Sequence, residues 1–248
     1  MSRIASIVSI VAMLVAGCAS SGESAEHAQS VAKIHTQLAA TYFERTQYAV
    51  ALQEIAVALQ AQSNYAPAYS VRGLIRMALH EDEQAEEDFH KSLRIEPENS
   101  ENHNNYGWFL CQIGREKEAI PQFLEALKNP LYQTPEIAYA NAGVCARKTG
   151  DLATAEKYLQ RALILRPGMP QALFGFADTR FSSGEYASAK AYFSRFQQTT
   201  QDLNAEQLWL AVRIERKMHD SNSEASYALQ LKKRYPDSRE AQLLLKKE

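Results

Sequence analysis

Side chains able to do chemistry are present in this chain, but their spacing does not assemble a reaction centre. The six histidines, His27, His35, His80, His90, His103 and His219, are scattered. None stands four residues from another, and none shares a metal-ligand spacing with a cysteine. His80 and His90 flank Glu81, Asp82, Glu83, Glu86, Glu87 and Asp88. That cluster reads as the wet, acidic side of a helix in preference to a metal site. No glycine-rich phosphate loop and no nucleophile elbow occurs. The expectation is therefore no enzyme, no cofactor, no metal and no small-molecule substrate. Three cysteines remain, Cys18, Cys111 and Cys145, and the first calls for a different context from the other two.

Cys18 has the clearest one. Ile4 to Ala16 is almost continuously apolar behind Arg3. The run is too short for a comfortable membrane span and suits the apolar core of a signal peptide. Leu14-Val15-Ala16-Gly17-Cys18 then resembles the bacterial lipobox, in which small residues precede a cysteine that is acylated and becomes the new N-terminus. The resemblance implies a signal peptide over residues 1–17 and lipidation at Cys18. Several acyl chains, each binding by about 0.8 kcal/mol per buried CH₂, would make the anchoring stable. Ala19 and Ser20 follow the cysteine where an inner-membrane retention signal typically has Asp. The implied place is thus the periplasmic face of the outer membrane. Residues 18–30 then read as a lipidated flexible tether, rich in Ser, Ala and Glu.

What must position the remaining side chains is a repeat. Asn104 to Gly114 reads Asn-Asn-Tyr-Gly-Trp-Phe-Leu-Cys-Gln-Ile-Gly, followed by Ala119, Phe123 and Ala126. Small residues at Gly107 and Ala119 let helix backbones approach, while Tyr106, Leu110 and Phe123 fill the space between. The small position recurs at Ala39, Gly73, Gly107, Gly143, Ala177 and Ala211. A second series runs Ala51, Ala85, Ala119, Ala155, Ala189 and, after a further slip of two, Ala225. Steps of 34 residues, with one of 36, match the tetratricopeptide pattern of paired helices. The fold expected over residues 31–248 is all-α: a right-handed superhelical solenoid of six tetratricopeptide repeats. Their bounds fall near 32–65, 66–99, 100–135, 136–169, 170–203 and 204–237, before a C-terminal capping helix. The link Asn129-Pro130-Leu131-Tyr132-Gln133-Thr134-Pro135 absorbs the long step. Arg72 and Arg76 stand where apolar residues are expected.

The chain has 248 residues, 46% of them apolar, and a formal net charge of −2. That is ample for a packed structure, and the lack of basic excess gives no argument for nucleic acid.

Cys111 and Cys145 fall near equivalent positions in the first helices of repeats 3 and 4. They are the only thiols left once Cys18 is acylated. Helix axes pack about 8–10 Å apart, and a bridge needs Cα atoms within about 7 Å. A disulfide is the reading preferred in an oxidising compartment. Two small buried thiols are the alternative.

The first helix of each tetratricopeptide repeat usually lines a groove for a partner. Its usual positions give Phe43, Leu74, Met77, Asn104 and Trp108 in repeats 1 to 3, and Val144, Phe174 and Phe181 beyond. The Lys and Asn set that clamps a terminal carboxylate in chaperone-tail grooves is missing. An apolar groove of this kind favours a hydrophobic or amphipathic segment. Packing between helices is the competing role for each of these side chains.

Beyond the generic repeat, three runs carry a narrower likeness: Asn104-Asn105-Tyr106-Gly107 with Phe109-Leu110-Cys111-Gln112, Asn129-Pro130-Leu131-Tyr132, and Asn141-Ala142-Gly143-Val144-Cys145-Ala146. With Tyr227 to Lys232 and Tyr235-Pro236-Asp237-Ser238, they resemble the PilF/PilW family of type IV pilus biogenesis lipoproteins. The resemblance implies a pilotin: an outer-membrane lipoprotein that binds the pilus secretin and promotes its localisation and multimer assembly. A structural pilus-stabilising protein that contacts other envelope components is the alternative it leaves open.

Overall fold

The computed structural model describes residues 24–245. Cys18 and the signal-peptide run lie outside them. Among the described residues the ordered structure is helical and no strand occurs. Helix α1 spans residues 24–44. It is followed by α2 (Tyr48–Ala61), α3 (Ala66–Ala78), α4 (Asp82–Ile95), α5 (Ser100–Gln112), α6 (Glu116–Ala126) and α7 (Pro135–Lys148). Then come α8 (Leu152–Leu165), α9 (Pro170–Ser182), α10 (Tyr186–Gln197), α11 (Ala205–Lys217), α12 (Ser221–Arg234) and α13 (Arg239–Leu245). Consecutive helices form hairpins, the tetratricopeptide arrangement, and α13 follows the last. Residues 24–30 belong to α1 and not to a tether. Past Gly22 no glycine or proline interrupts the chain until Pro67, and Ala25, Ala28 and Ala32 favour helix.

Each hairpin turns on one left-handed residue: Thr46, His80, Gly114, Gly150, Gly184 and His219, with φ between 58° and 85°. In most of them the next N–H reaches back to a helix carbonyl, as Gln47 does to Tyr42 at 2.9 Å and Glu185 to Arg180 at 2.9 Å. This is the Schellman closure, which satisfies carbonyls the helix end leaves open. The next helix starts in the manner its sequence allows. Asp151 and Asp220 cap the N–H groups of Thr154 and Ser223, and Asn204 forms a capping box with Gln207. Prolines occupy the first turns of α3, α7 and α9, where the missing N–H costs nothing.

The turn residues fix the register. Seven residues before each stands the small position: Ala39, Gly73, Gly107, Gly143 and Ala177. In the last hairpin that place is Val212, one residue beyond the expected Ala211. Five residues after each turn stand Ala51, Ala85, Ala119, Ala155 and Ala189, all fully buried, and then Glu224. The expected Ala225 is exposed, as is Leu229 at 67%, and Leu231 is the buried residue of α12. A terminal hairpin has no following repeat to pack against, so its outer side takes polar residues and its periodicity fades.

The chain divides inside α5, between Phe109 and Leu110, into two units. In the first, Ile55 and Ile75 pack with Ala32, Ala39, Ala51, Ala58 and Ala68. Phe89 packs its ring 5.2 Å from Phe109 and 5.7 Å from Tyr106. A Cβ on Gly73 would meet the Phe89 ring at 2.8 Å, so the small position is required for the two helices to close. The second unit has one larger core running from Ala140 to Ala241, with Leu159, Phe176, Leu208 and Ile214 at its centre. There, a Cβ on Gly143 would meet Leu159 at 2.5 Å.

Arg72 and Arg76 are reconciled by Asp88, which is 3% exposed. The Arg72 guanidinium donates to both Asp88 oxygens, at 2.9 and 2.7 Å, and Arg76 donates to one of them at 2.8 Å. The two arginines of α3 thus surround a carboxylate of α4 that would otherwise be buried uncompensated. The bond to Asp88 raises the Arg72 pKa above its ordinary value against the opposing effect of burial.

Candidate protein-binding surface

Measured from the left-handed turn residue, two places recur on the first helix of every hairpin, three and six residues before it. In the first unit they hold Ala40 and Phe43, Leu74 and Met77, and Trp108. All five are apolar, and all are partly exposed. They are three or six residues from a common reference on helices of 3.6 residues per turn, so within each helix they share a face. Phe43 is drawn partly inward: it packs against the core of α1 and α2, with its ring 6.0 Å from Tyr48. Leu74, Met77 and Trp108 are half-buried. Asn104, expected beside them, is only 3% exposed, with its amide 3.4 Å from the Asn105 carbonyl oxygen. Its side chain is withdrawn from the surface that the other four present. Asn105 in turn donates to Ser70 Oγ at 3.1 Å, tying α5 to α3.

In the second unit the same two places change character. They hold the buried Cys111 in α5, Val144 and Arg147 in α7, Asp178 and Phe181 in α9, and Arg213 and Arg216 in α11. Asp178, 6% exposed, takes Arg147 at 2.8 Å on one side and Arg213 at 3.4 Å on the other. Arg213 also lies over the Phe181 ring, 4.7 Å from its centroid. Phe181 and Phe174, expected to continue an apolar line, are half-buried and packed on the core; Phe174 lies 5.4 Å from Phe196. The ladder of α7, α9 and α11 was not evident in the sequence. Its signal was there: an Asp and two Arg at register places that are apolar in the first three repeats.

The sulfurs of Cys111 and Cys145 come together between α5 and α7, with Cα atoms 5.8 Å apart, inside the span a bridge requires. Both cysteines are fully buried. Lys148 donates to the Cys111 carbonyl at 3.1 Å beside them. The acidic helix α4 does not gather ligands: His90 Nε2 and the Tyr106 hydroxyl are 2.9 Å apart, and that hydroxyl donates to Glu86 at 3.0 Å. Among the described residues no group of three His, Cys, Asp or Glu side chains is placed to hold a metal ion. Nor, among them, is any helix long and apolar enough to cross a membrane.

Residues 114–170 and 146–212 match tetratricopeptide repeat family models. The type IV pilus assembly protein PilF of Pseudomonas aeruginosa is 29% identical over 243 residues, covering 96% of each chain. The crystal structure of PilW, described as a widely conserved type IV pilus biogenesis factor, superposes with a TM-score of 0.76. It is 36% identical, and the match covers 87% of this chain and 98% of PilW. The chain belongs to the PilF/PilW family of tetratricopeptide repeat proteins. The solved structure of Pseudomonas aeruginosa PilF gives the same TM-score at 28% identity, over 90% of this chain and all of that one. Tetratricopeptide hairpins are a scaffold of the kind that binds other proteins, and in this PilF/PilW-type chain the register places differ between the units: apolar in the first, charged and aromatic in the second.

Proposed function

We propose that this protein is a lipoprotein of the type IV pilus machinery that acts as a pilotin for the pilus secretin. In this reading Cys18 carries the lipid anchor, and the protein sits on the periplasmic face of the outer membrane. Its first three repeats hold a hydrophobic or amphipathic segment of the secretin, so that the client travels with the anchor and forms multimers there. The observation that carries the reading is the likeness to PilF and PilW over nearly the whole chain. It is supported by the partly exposed apolar stripe of Leu74, Met77 and Trp108, which supplies the Met and aromatic anchors that partner surfaces use.

The test is made with Leu74→Ser and Met77→Ser in one protein. Phe43 is left intact because it also packs the first hairpin. With helical CD and melting temperature retained, the variant is expected to lose secretin binding and outer-membrane secretin multimers. Normal multimers in that strain would exclude the stripe as the secretin site. Normal multimers without pili in a strain lacking the protein altogether would favour the structural alternative, in which it stabilises pili by binding other envelope components.

The same compartment favours a disulfide between Cys111 and Cys145. We propose that the pair is bridged, joining the first helices of repeats 3 and 4.

A further inference from the structure

The second unit carries a surface of its own, on helices other than those of the stripe. Helices α6 and α8 both pack on α7. Between them runs a half-open groove of about 510 Å³. Its apolar surface comes from Leu124 of α6, Leu127 just past its end, Tyr139 of α7 and Ile164 of α8. Leu124 is 41% and Ile164 61% exposed, a large apolar area left in water on the two helices that pack on α7. The long link that follows Leu127 is where the repeat spacing lengthens to 36 residues, so the groove begins at the one irregular step of the middle repeats.

Its charged groups are all cationic, beside the neutral Gln160 and two tyrosines. Lys157 and Arg161 stand four residues apart on α8, on one face of the helix, and both line the groove. Neither has an ion-pair partner among the described residues. The Tyr139 and Tyr158 hydroxyls make no hydrogen bond there either. No carboxylate lines the groove, and Glu125, next to Leu124, is engaged by Lys128 at 2.7 Å. Elsewhere in this unit the buried carboxylates are matched by cations, as Asp178 is by Arg147 and Arg213 and Glu215 by Lys190. Lys157 and Arg161 instead stand exposed and without partners beside an apolar floor.

We propose that this groove binds an acidic amphipathic segment of a partner protein. Apolar side chains of the segment lie between Leu124 and Ile164, and its carboxylates meet Lys157 and Arg161. The recessed floor between two helices suits an inserted segment, the helix-in-groove mode, better than the flat face of a bilayer. The site does not depend on the pilus reading, since it uses other helices and a partner of defined chemistry.

The probes are two synthetic helical peptides of about 18 residues, five turns, sharing one leucine face and carrying either Glu or Lys on the other. Fluorescence anisotropy with the full chain is expected to show the Glu peptide binding at least about tenfold tighter, a difference of about 1.4 kcal/mol. The chain's net charge is −2, so that preference cannot come from its overall charge. Lys157→Glu with Arg161→Glu should reverse the preference, and Ile164→Asp should weaken the Glu peptide about tenfold. Equal binding of the two peptides, or a preference that survives the charge reversal, overturns the proposal. So does binding to anionic phospholipid vesicles that the same substitutions abolish while neither peptide binds, because the groove would then be a membrane contact.

Discussion

Asp88 on α4 and Arg72 on α3 meet through two hydrogen bonds of 2.9 and 2.7 Å, with the Asp88 side chain almost wholly out of water and about a quarter of the Arg72 side chain exposed. Such a pair is weak evidence for stability, because desolvation offsets much of the attraction. Its value appears when one partner is removed. Asp88→Ala leaves the two guanidiniums of α3 without the carboxylate they share. A loss of about 2–3 kcal/mol in urea unfolding is expected, below the 3–5 kcal/mol of a fully buried pair because water reaches both arginines. Arg72→Leu with Arg76→Leu and Asp88→Leu should recover most of it. A triple variant no more stable than Asp88→Ala would show that the pairs support the hairpin in some other way.

Thr46 is a β-branched residue at φ 59°, where side chains with a branched Cβ are strained. Three of the equivalent turns use glycine. Thr46→Gly is therefore expected to stabilise the protein by about 1 kcal/mol, the left-handed penalty less the entropy glycine brings to the unfolded chain. Differential scanning calorimetry reads the change as a higher Tm. A lower Tm would mean that the Thr46 hydroxyl, which donates to the Arg45 carbonyl at 2.7 Å, outweighs the strain.

Acid should weaken the helix starts of α8 and α12. Asp151 and Asp220 are held below the usual carboxylate range, Asp151 by its bonds from Thr154 and Asp220 by those from Ser223, with a further contribution from Lys190. A depressed folded-state pKa contributes stability that is complete above the unfolded value, near 3.8 for Asp, and is lost as pH falls through the folded value. Asparagine caps as well as aspartate but does not titrate. The Tm advantage of the parent over Asp151→Asn with Asp220→Asn should shrink as pH is lowered from 5 to about 2. A constant difference across that range would remove the caps from the acid response.

If Cys111 and Cys145 are bridged, thiol titration of the denatured, unreduced protein finds neither of them. Reduction then lowers stability by about 2–4 kcal/mol. Two titratable thiols at these positions would end the disulfide proposal, leaving the pair as small buried packing residues.

Much of the fold was legible because a small residue facing a large one repeats at a fixed step. Gly73 against Phe89 and Gly143 against Leu159 are what that spacing encodes. The pattern failed where its physical cause ends. The last hairpin carries Val212 and Glu224 in the register places, and neighbouring alanines at 211 and 225 imitated the series. Arg72 and Arg76 depart from the apolar pattern because Asp88, which compensates them, belongs to the other helix of the hairpin and stands in a run of acidic residues that has the pattern of a wet face. The apolar places at Leu74, Met77 and Trp108 followed from register alone. Asn104 did not, since a polar side chain in such a place can turn inward. The groove between α6 and α8 was invisible for a different reason: it depends on which exposed cations lack partners, a property of pairs.

The left-handed turns also set an order of opening along the chain. Glycine occupies them at 114, 150 and 184, in the middle of the sequence, whereas Thr46, His80 and His219 hold the strained versions toward its two ends. In a repeat array each hairpin leans only on its neighbours, so turn strain lowers the local cost of unfolding at the flanks first. Amide protons of α7 to α9 are thus the ones that should exchange last with deuterated solvent, while those of α1, α2 and α12 exchange through fraying excursions that leave the centre folded.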